Sequence, residues 1–300
     1  MDISKNTEIR TLSISFDLPL FTRQIPQWRG AFVELAGVEN DLFHNHYNEV
    51  GSGKWEVGTQ LSEVGNGKPE MGMDLEDPFD PAMAEALGLS LSPSTNHLVI
   101  ASPDHPTYHY RYPLIHYRVQ NDKASIFAIN EGIEALQMTL SSRAWKLNWE
   151  GKPRQLQITG MEMNEYYLRM LPHPKTYRLF KWLALNKENY ERWLQCNNLV
   201  ERVQLLERIL AAHILAFAAG MGWELPERLT VSIQDIQQMQ QVTCHGNPLL
   251  AFNITYNANV LLPPYIALGK AVSHGFGWQK PHKVLNHKAL NKNRAIKAML

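Results

Sequence analysis

The stretch YRYPLIHYRVQNDKASIFAI, residues 110 to 129, decides the fold. Its first half alternates between two kinds of side chain, which is the period of a β-strand. Ile115, Tyr117 and Val119 fall on one face; Leu114, His116 and Arg118 fall on the other. Asn121 and Asp122 are turn residues. KASIFAI, 123 to 129, then returns as a second strand. The whole stretch reads as an antiparallel hairpin over 110–119 and 123–129.

Elements on both sides extend this hairpin into a unit. Upstream, TLSISFDL (11–18) alternates as a strand. Ile25, Trp28, Phe32 and Leu35 then recur at helical spacing, with Gly37 as the stop. Downstream, Ile133, Leu136 and Leu140 predict a helix, and RQLQITGMEM (154–163) predicts another strand. The order β-α-β-β-α-β is the ferredoxin-like unit. The second half repeats it with weaker signals. A strand is expected over 176–185, helices over 187–196 and 199–219, and strands over 229–236 and 249–260. The expectation is an α+β chain of two tandem ferredoxin-like (RRM-like) domains. They span 1–166 and 175–300 and meet near 165–174, at MLPHP. Residues 51–107 are rich in Gly, Pro, Asp and Glu and read as an insertion with one short helix over 81–88.

Composition bounds the function. The chain has 300 residues, 44% hydrophobic and 19% charged, which is ordinary for a globular protein with a buried core. No apolar run of 18 residues is present, so no membrane partner is expected. The two cysteines, Cys196 and Cys244, form neither a zinc pattern nor a disulfide framework, and the expected location is the reduced cytoplasm. The net charge of zero hides a strong segregation. Residues 51–105 hold nine acids against Lys54 and Lys68. After Asp235 no acid remains, while Lys270, Lys280, Lys283, Lys288, Lys292, Arg294 and Lys297 follow. A basic end of this kind points to a polyanionic partner, or to a solvated basic helix.

Two motifs carry candidate chemistry. In FHNHY, 43 to 47, His44 and His46 lie two residues apart. Histidine titrates near neutrality, so such a pair can act as general base and general acid, and Tyr47 can assist or simply pack. No spacing for a metal site accompanies them. The second motif is ALGKAVSHGFGWQ, 267 to 279, with Gly269, Gly275 and Gly277. It lacks the order of an NTPase phosphate loop, because Lys270 follows the first glycine rather than the second. What remains is a Gly-x5-Gly-Phe-Gly loop. Its free N–H groups can hold phosphates, and Phe276 and Trp278 can stack on bases or anchor the loop.

Taken together, FHNHY, YRYPLIHYRV with IFAINEG, and PPYIALGKAVSHGFGWQ resemble the CRISPR-associated endoribonucleases that process repeat RNA, in the subtype with a paired-histidine loop. The resemblance implies tandem ferredoxin-like domains and cleavage of precursor CRISPR RNA with no metal or other cofactor. It implies attack by the RNA's 2′-hydroxyl, leaving a 2′,3′-cyclic phosphate and a 5′-hydroxyl. His44 and His46 match its catalytic pair, with Tyr47 adjacent. Gly269, Gly275, Phe276 and Gly277 match its glycine-rich loop, with Lys270, His274, Lys280 and Lys283 as RNA neighbours. The partners implied are repeat RNA, other subunits of a CRISPR effector complex and a second copy of the chain. The alternative is a non-catalytic protein of the same fold that holds or caps guide RNA. The long acidic segment 51–107 departs from the family pattern.

Overall fold

In the computed structural model, residues 6–37, 41–44, 98–102, 105–110, 112–142, 145–244 and 246–282 are described. Strand β1 (Thr7–Pro19) leads through a short 3-10 turn into α1 (Ile25–Ala36). Pro26 sits in the first turn of α1, where no backbone N–H is needed, and Gly37 stops the helix at φ 90°. A four-residue helix α2 (Asp41–His44) follows. The hairpin β2 (Leu98–Ser102) and β3 (His105–Tyr110) comes next. Then come β4 (Ile115–Gln120), β5 (Lys123–Ile129) and α3 (Glu131–Ser142). Asn121 and Asp122 both take positive φ, as a two-residue hairpin turn requires. A small hairpin, β6 (Lys146–Trp149) and β7 (Lys152–Gln155), precedes the long strand β8 (Ile158–Leu183).

The strand order β4-β5-β1-β8 is antiparallel throughout, which is the ferredoxin-like order. The far half of β8 opens the second unit. It is followed by α4 (Lys187–Gln195), α5 (Leu199–Gly220), β9 (Val231–Cys244), β10 (Asn247–Leu261) and β11 (Trp278–Pro281). Asn186 and Asn198 cap the two helices, each accepting a backbone N–H from three residues on. The order β9-β10-β8-β11 repeats that of the first unit, with β8 shared. The fold is therefore α+β and tandem ferredoxin-like, as the sequence pattern predicts. One part is missing from the second repeat: where a helix should join β10 to β11, the chain runs through the glycine-rich loop.

Several boundaries differ from expectation for local reasons. β4 begins at Ile115 rather than at 110, because Pro113 offers no N–H to a ladder. The strand expected over 154–163 is split between β7 and β8. The junction near 165–174 is no break: it lies inside the 26-residue β8. Pro172 and Pro174 fall where the pairing with β10 jumps from Lys175 to Met170. There the missing N–H groups cost no ladder bond. The C-terminal end of the 51–107 segment forms part of the β2–β3 hairpin, whereas the helix expected over 81–88 lies outside the described residues.

Two cores occupy opposite faces of the shared sheet. Leu12, Ile14 and Phe16 of β1 pack with Trp28 and Phe32 of α1 and with Ile133 and Leu136 of α3. Ile9 of β1, Phe127 and Ile129 of β5, and Tyr177 and Leu179 of β8 pack instead with Leu206, Leu210, Ile214 and Phe217 of α5. By length and composition α5 could cross a bilayer. Its buried face here is the core that binds the two repeats together.

Candidate functional site at the seam of the two repeats

The glycine-rich loop is held by close backbone packing. A Cβ on Gly277 would lie 1.9 Å from the carbonyl oxygen of Leu268, and its φ is +66°. Across that contact the Leu268 N–H donates to the Gly277 carbonyl at 2.8 Å. Gly275, at φ +82°, presses on Ile25 at the start of α1 and on the Tyr117 carbonyl of β4. Gly269 lies against the Trp182 ring. The loop thus touches both repeats, and a single 3-10 turn, Val272–His274, replaces the crossover helix. Its first function is architectural, and it needs glycine because no side chain fits these approaches.

Tyr112 ties the first repeat to the start of this loop. Its hydroxyl donates to the Ala267 carbonyl at 2.7 Å and lies 3.3 Å from the Ala267 N–H. Its ring meets Phe217 of α5 edge-on at 5.1 Å. Beside it, His116 is fully buried and stacks on Phe127. The Pro113 carbonyl can only accept, so His116 Nε2 carries the proton in their 2.8 Å bond and Nδ1 accepts from Arg118 at 2.8 Å. His116 is thus a packed, hydrogen-bonded residue. Burial first, and then the Arg118 charge, hold its pKa well below the ordinary 6.5. Burial also pushes Arg118 down to about 10.

A pH dependence follows from His116. The unfolded chain binds a proton at this site near pH 6.5, and the folded chain does not. Stability from this group is therefore complete above pH 6.5 and is lost as pH falls below it, by up to about 1.4 kcal/mol per pH unit. Chemical denaturation between pH 7 and pH 5 should show this slope, and His116→Gln should flatten it. An unchanged slope in the variant would show that His116 is not the group responsible.

The predicted site residues fall into two places. His44 ends α2, and the helix is seated by Phe43, which is buried with its ring 6.0 Å from Phe32 of α1. Leu42 touches both cores, so α2 sits at the seam of the repeats. His46 and Tyr47 lie outside the described residues, as do Lys283 and the basic stretch after it. The glycine-rich loop docks on the same helix α1, at Ile25, two turns from Phe32 or about 10 Å along the axis. Within the loop, Lys270 is 7% and His274 5% exposed. Phe276 packs on the small cluster of Leu183, Cys244 and Ala251. Lys280 stands in β11 over the rings of Phe180 and Trp278. Among the described residues no group of three His, Cys, Asp or Glu side chains is arranged to hold a metal ion.

The sequence reading missed Arg178, Phe180 and Tyr265 as candidates. Arg178 and Phe180 share one face of β8, where the alternation of TYRLFKW already placed them. Tyr265 follows two prolines and takes φ 68°, which no sequence signal marks.

The frame of the site is two antiparallel ferredoxin-like repeats that share one strand, with a glycine-rich loop in place of the last crossover. Residues 100–167 match the Cas6b N-terminal domain and residues 170–281 the Cas6b C-terminal domain, together more than half of the chain. The chain belongs to the CRISPR-associated repeat-processing endoribonuclease family, in its Cas6b branch. A crystal structure of Cas6b superposes with a TM-score of 0.62 at 17% identity, covering 92% of this chain and 100% of that one. A crystal structure of the CRISPR RNA processing endoribonuclease Cas6b gives 0.56 at 18% identity, with the same coverage. At these identities the likeness carries the fold. An uncharacterized protein of Methanocaldococcus jannaschii is 29% identical over 96 residues, which is 32% of this chain and 64% of that protein.

Proposed function

We propose that this chain cuts precursor CRISPR RNA within its repeats without using a metal ion. The nucleophile is the RNA's own 2′-hydroxyl, attacking the adjacent phosphorus. The bond to the 5′-oxygen breaks, leaving a 2′,3′-cyclic phosphate and a 5′-hydroxyl. Of His44 and His46, one takes the 2′-hydroxyl proton and the other gives a proton to the departing oxygen, with Tyr47 beside them. Lysines near the glycine-rich loop stabilise the charge that builds on the phosphate, since the N–H groups of Leu268, Lys270, His274, Gly275 and Gly277 already donate to backbone carbonyls. In this reading RNA lies along Gly269, Lys270, His274, Gly275, Phe276 and Gly277, with Lys280 and Lys283 continuing the track.

The observation that supports the reading most is the run of family matches over 100–167 and 170–281, which spans the β4–β5 hairpin and the glycine-rich loop. The position of α2 at the seam adds to it, since His44 then stands beside the junction of the two repeats. The activity is placed in the cytoplasm, and the domains are taken as 1–166 and 175–300. The direct test is incubation of labelled repeat RNA with the protein in excess EDTA. Cutting is expected; RNA left whole in EDTA and cut when magnesium is restored would overturn the metal-free mechanism.

A further inference from the structure

The sheet face of the second repeat that points away from α5 carries an aromatic column flanked by cations. Tyr177, Leu179 and Gln279 face the core, and their strand neighbours therefore face outward. Phe180 pairs with Trp278 across β8 and β11, and Arg178 pairs with Lys280. The Phe180 and Trp278 rings stack 4.3 Å apart, with planes within 16°. Tyr265 continues the column, with its ring 6.5 Å from Trp278 and tilted by 28°. Arg178 lies 5.3 Å and Lys280 5.0 Å from the Phe180 ring centre.

Two further observations separate this column from ordinary packing. Tyr265 is 45% exposed, so an aromatic ring is presented to solvent at the end of a stack. It also holds φ 68°, a conformation costly for a bulky side chain. The ring is held at the end of the stack on Trp278 with nearly half its surface left in solvent. Outward-facing aromatics on a four-stranded sheet of this topology are the surface on which RRM domains stack bases. The charge fits as well. No acid follows Asp235 in the chain, and β11 runs into a basic stretch. Asp235 itself shares this sheet face on β9, two strands from Arg178, and Gln237 donates to it at 2.8 Å.

We propose that Phe180, Trp278 and Tyr265 form a stacking platform for a single-stranded nucleotide of the bound RNA, with Arg178 and Lys280 on its phosphates. The site deepens the RNA-processing reading and rests on it for the identity of the RNA. It supplies affinity without reading sequence, because every base has a π-face.

The test is fluorescence anisotropy with a short fluorescein-labelled single-stranded RNA, using Tyr265→Ala, Tyr265→Phe and Lys280→Gln, with cutting of repeat RNA followed in parallel. Tyr265→Ala should bind about tenfold more weakly. Tyr265→Phe should bind like wild type, because it keeps the ring, and thermal melts should show both variants folded. Lys280→Gln should lower the slope of log affinity against log salt by about 0.7. Wild-type affinity in Tyr265→Ala overturns the platform, even if the protein cuts repeat RNA normally. A ring-dependent affinity in a protein that cuts nothing upholds the platform and removes the nuclease reading instead.

Discussion

Gly277→Ala is expected to destabilise the protein by about 3–5 kcal/mol, among the largest effects a single residue produces. The new Cβ would sit 1.9 Å from the Leu268 carbonyl oxygen, far inside contact distance. The oxygen is backbone, so it cannot swing aside as a side-chain tip would. The positive φ adds roughly 1–2 kcal/mol of its own. Relief requires the loop to lift, which would break the Leu268–Gly277 hydrogen bond and loosen the seating of β11 on β8. Gly151 supplies the control. It too has positive φ, at +77°, but nothing lies within 4 Å of its Cβ position. Gly151→Ala should therefore show the conformational cost alone. Thermal melts should separate the two variants by several degrees. Equal melting temperatures would mean that the Gly277 approach to Leu268 does not form.

The second large effect concerns catalysis. His44→Ala/His46→Ala should lower the rate of repeat cleavage by about a thousandfold or more, since each proton transfer contributes roughly 10² to 10⁴. RNA affinity should change little, because phosphate and base contacts lie elsewhere in the proposed track. Single-turnover cleavage with protein in excess separates the two quantities. Full activity in the double variant would move the chemistry away from FHNHY. Tight binding without cutting by either protein would identify a guide-RNA holder rather than a nuclease.

Much of the first repeat is legible because its strands obey the two-residue period and its helix the 3.6-residue period. Ile115, Tyr117 and Val119 do pack with one core, while Leu114 belongs to the other and His116 and Arg118 gather on Phe127. The sharing of β8 is not legible in this way. Pro172 and Pro174 look like a linker, and only tertiary pairing shows that the ladder skips them. The missing crossover helix in the second repeat is equally hard to read, since a loop that packs by its backbone leaves no periodic side-chain pattern. Gly275 and Gly277 mark the loop but not what they touch. The burial of Lys270 and His274 is likewise invisible in a sequence where both stand among small residues. The aromatic column depends on cross-strand register and on the turn at Tyr265, neither of which local sequence specifies.

The measurement closest to the central claim is the chemistry of the ends made from labelled repeat RNA in EDTA. The upstream fragment should end in a 2′,3′-cyclic phosphate, resistant to direct ligation at that end, and the downstream fragment should carry a 5′-hydroxyl that polynucleotide kinase can label. A 3′-hydroxyl paired with a 5′-phosphate would mean that water or another external nucleophile attacks, and would contradict the mechanism proposed for His44 and His46.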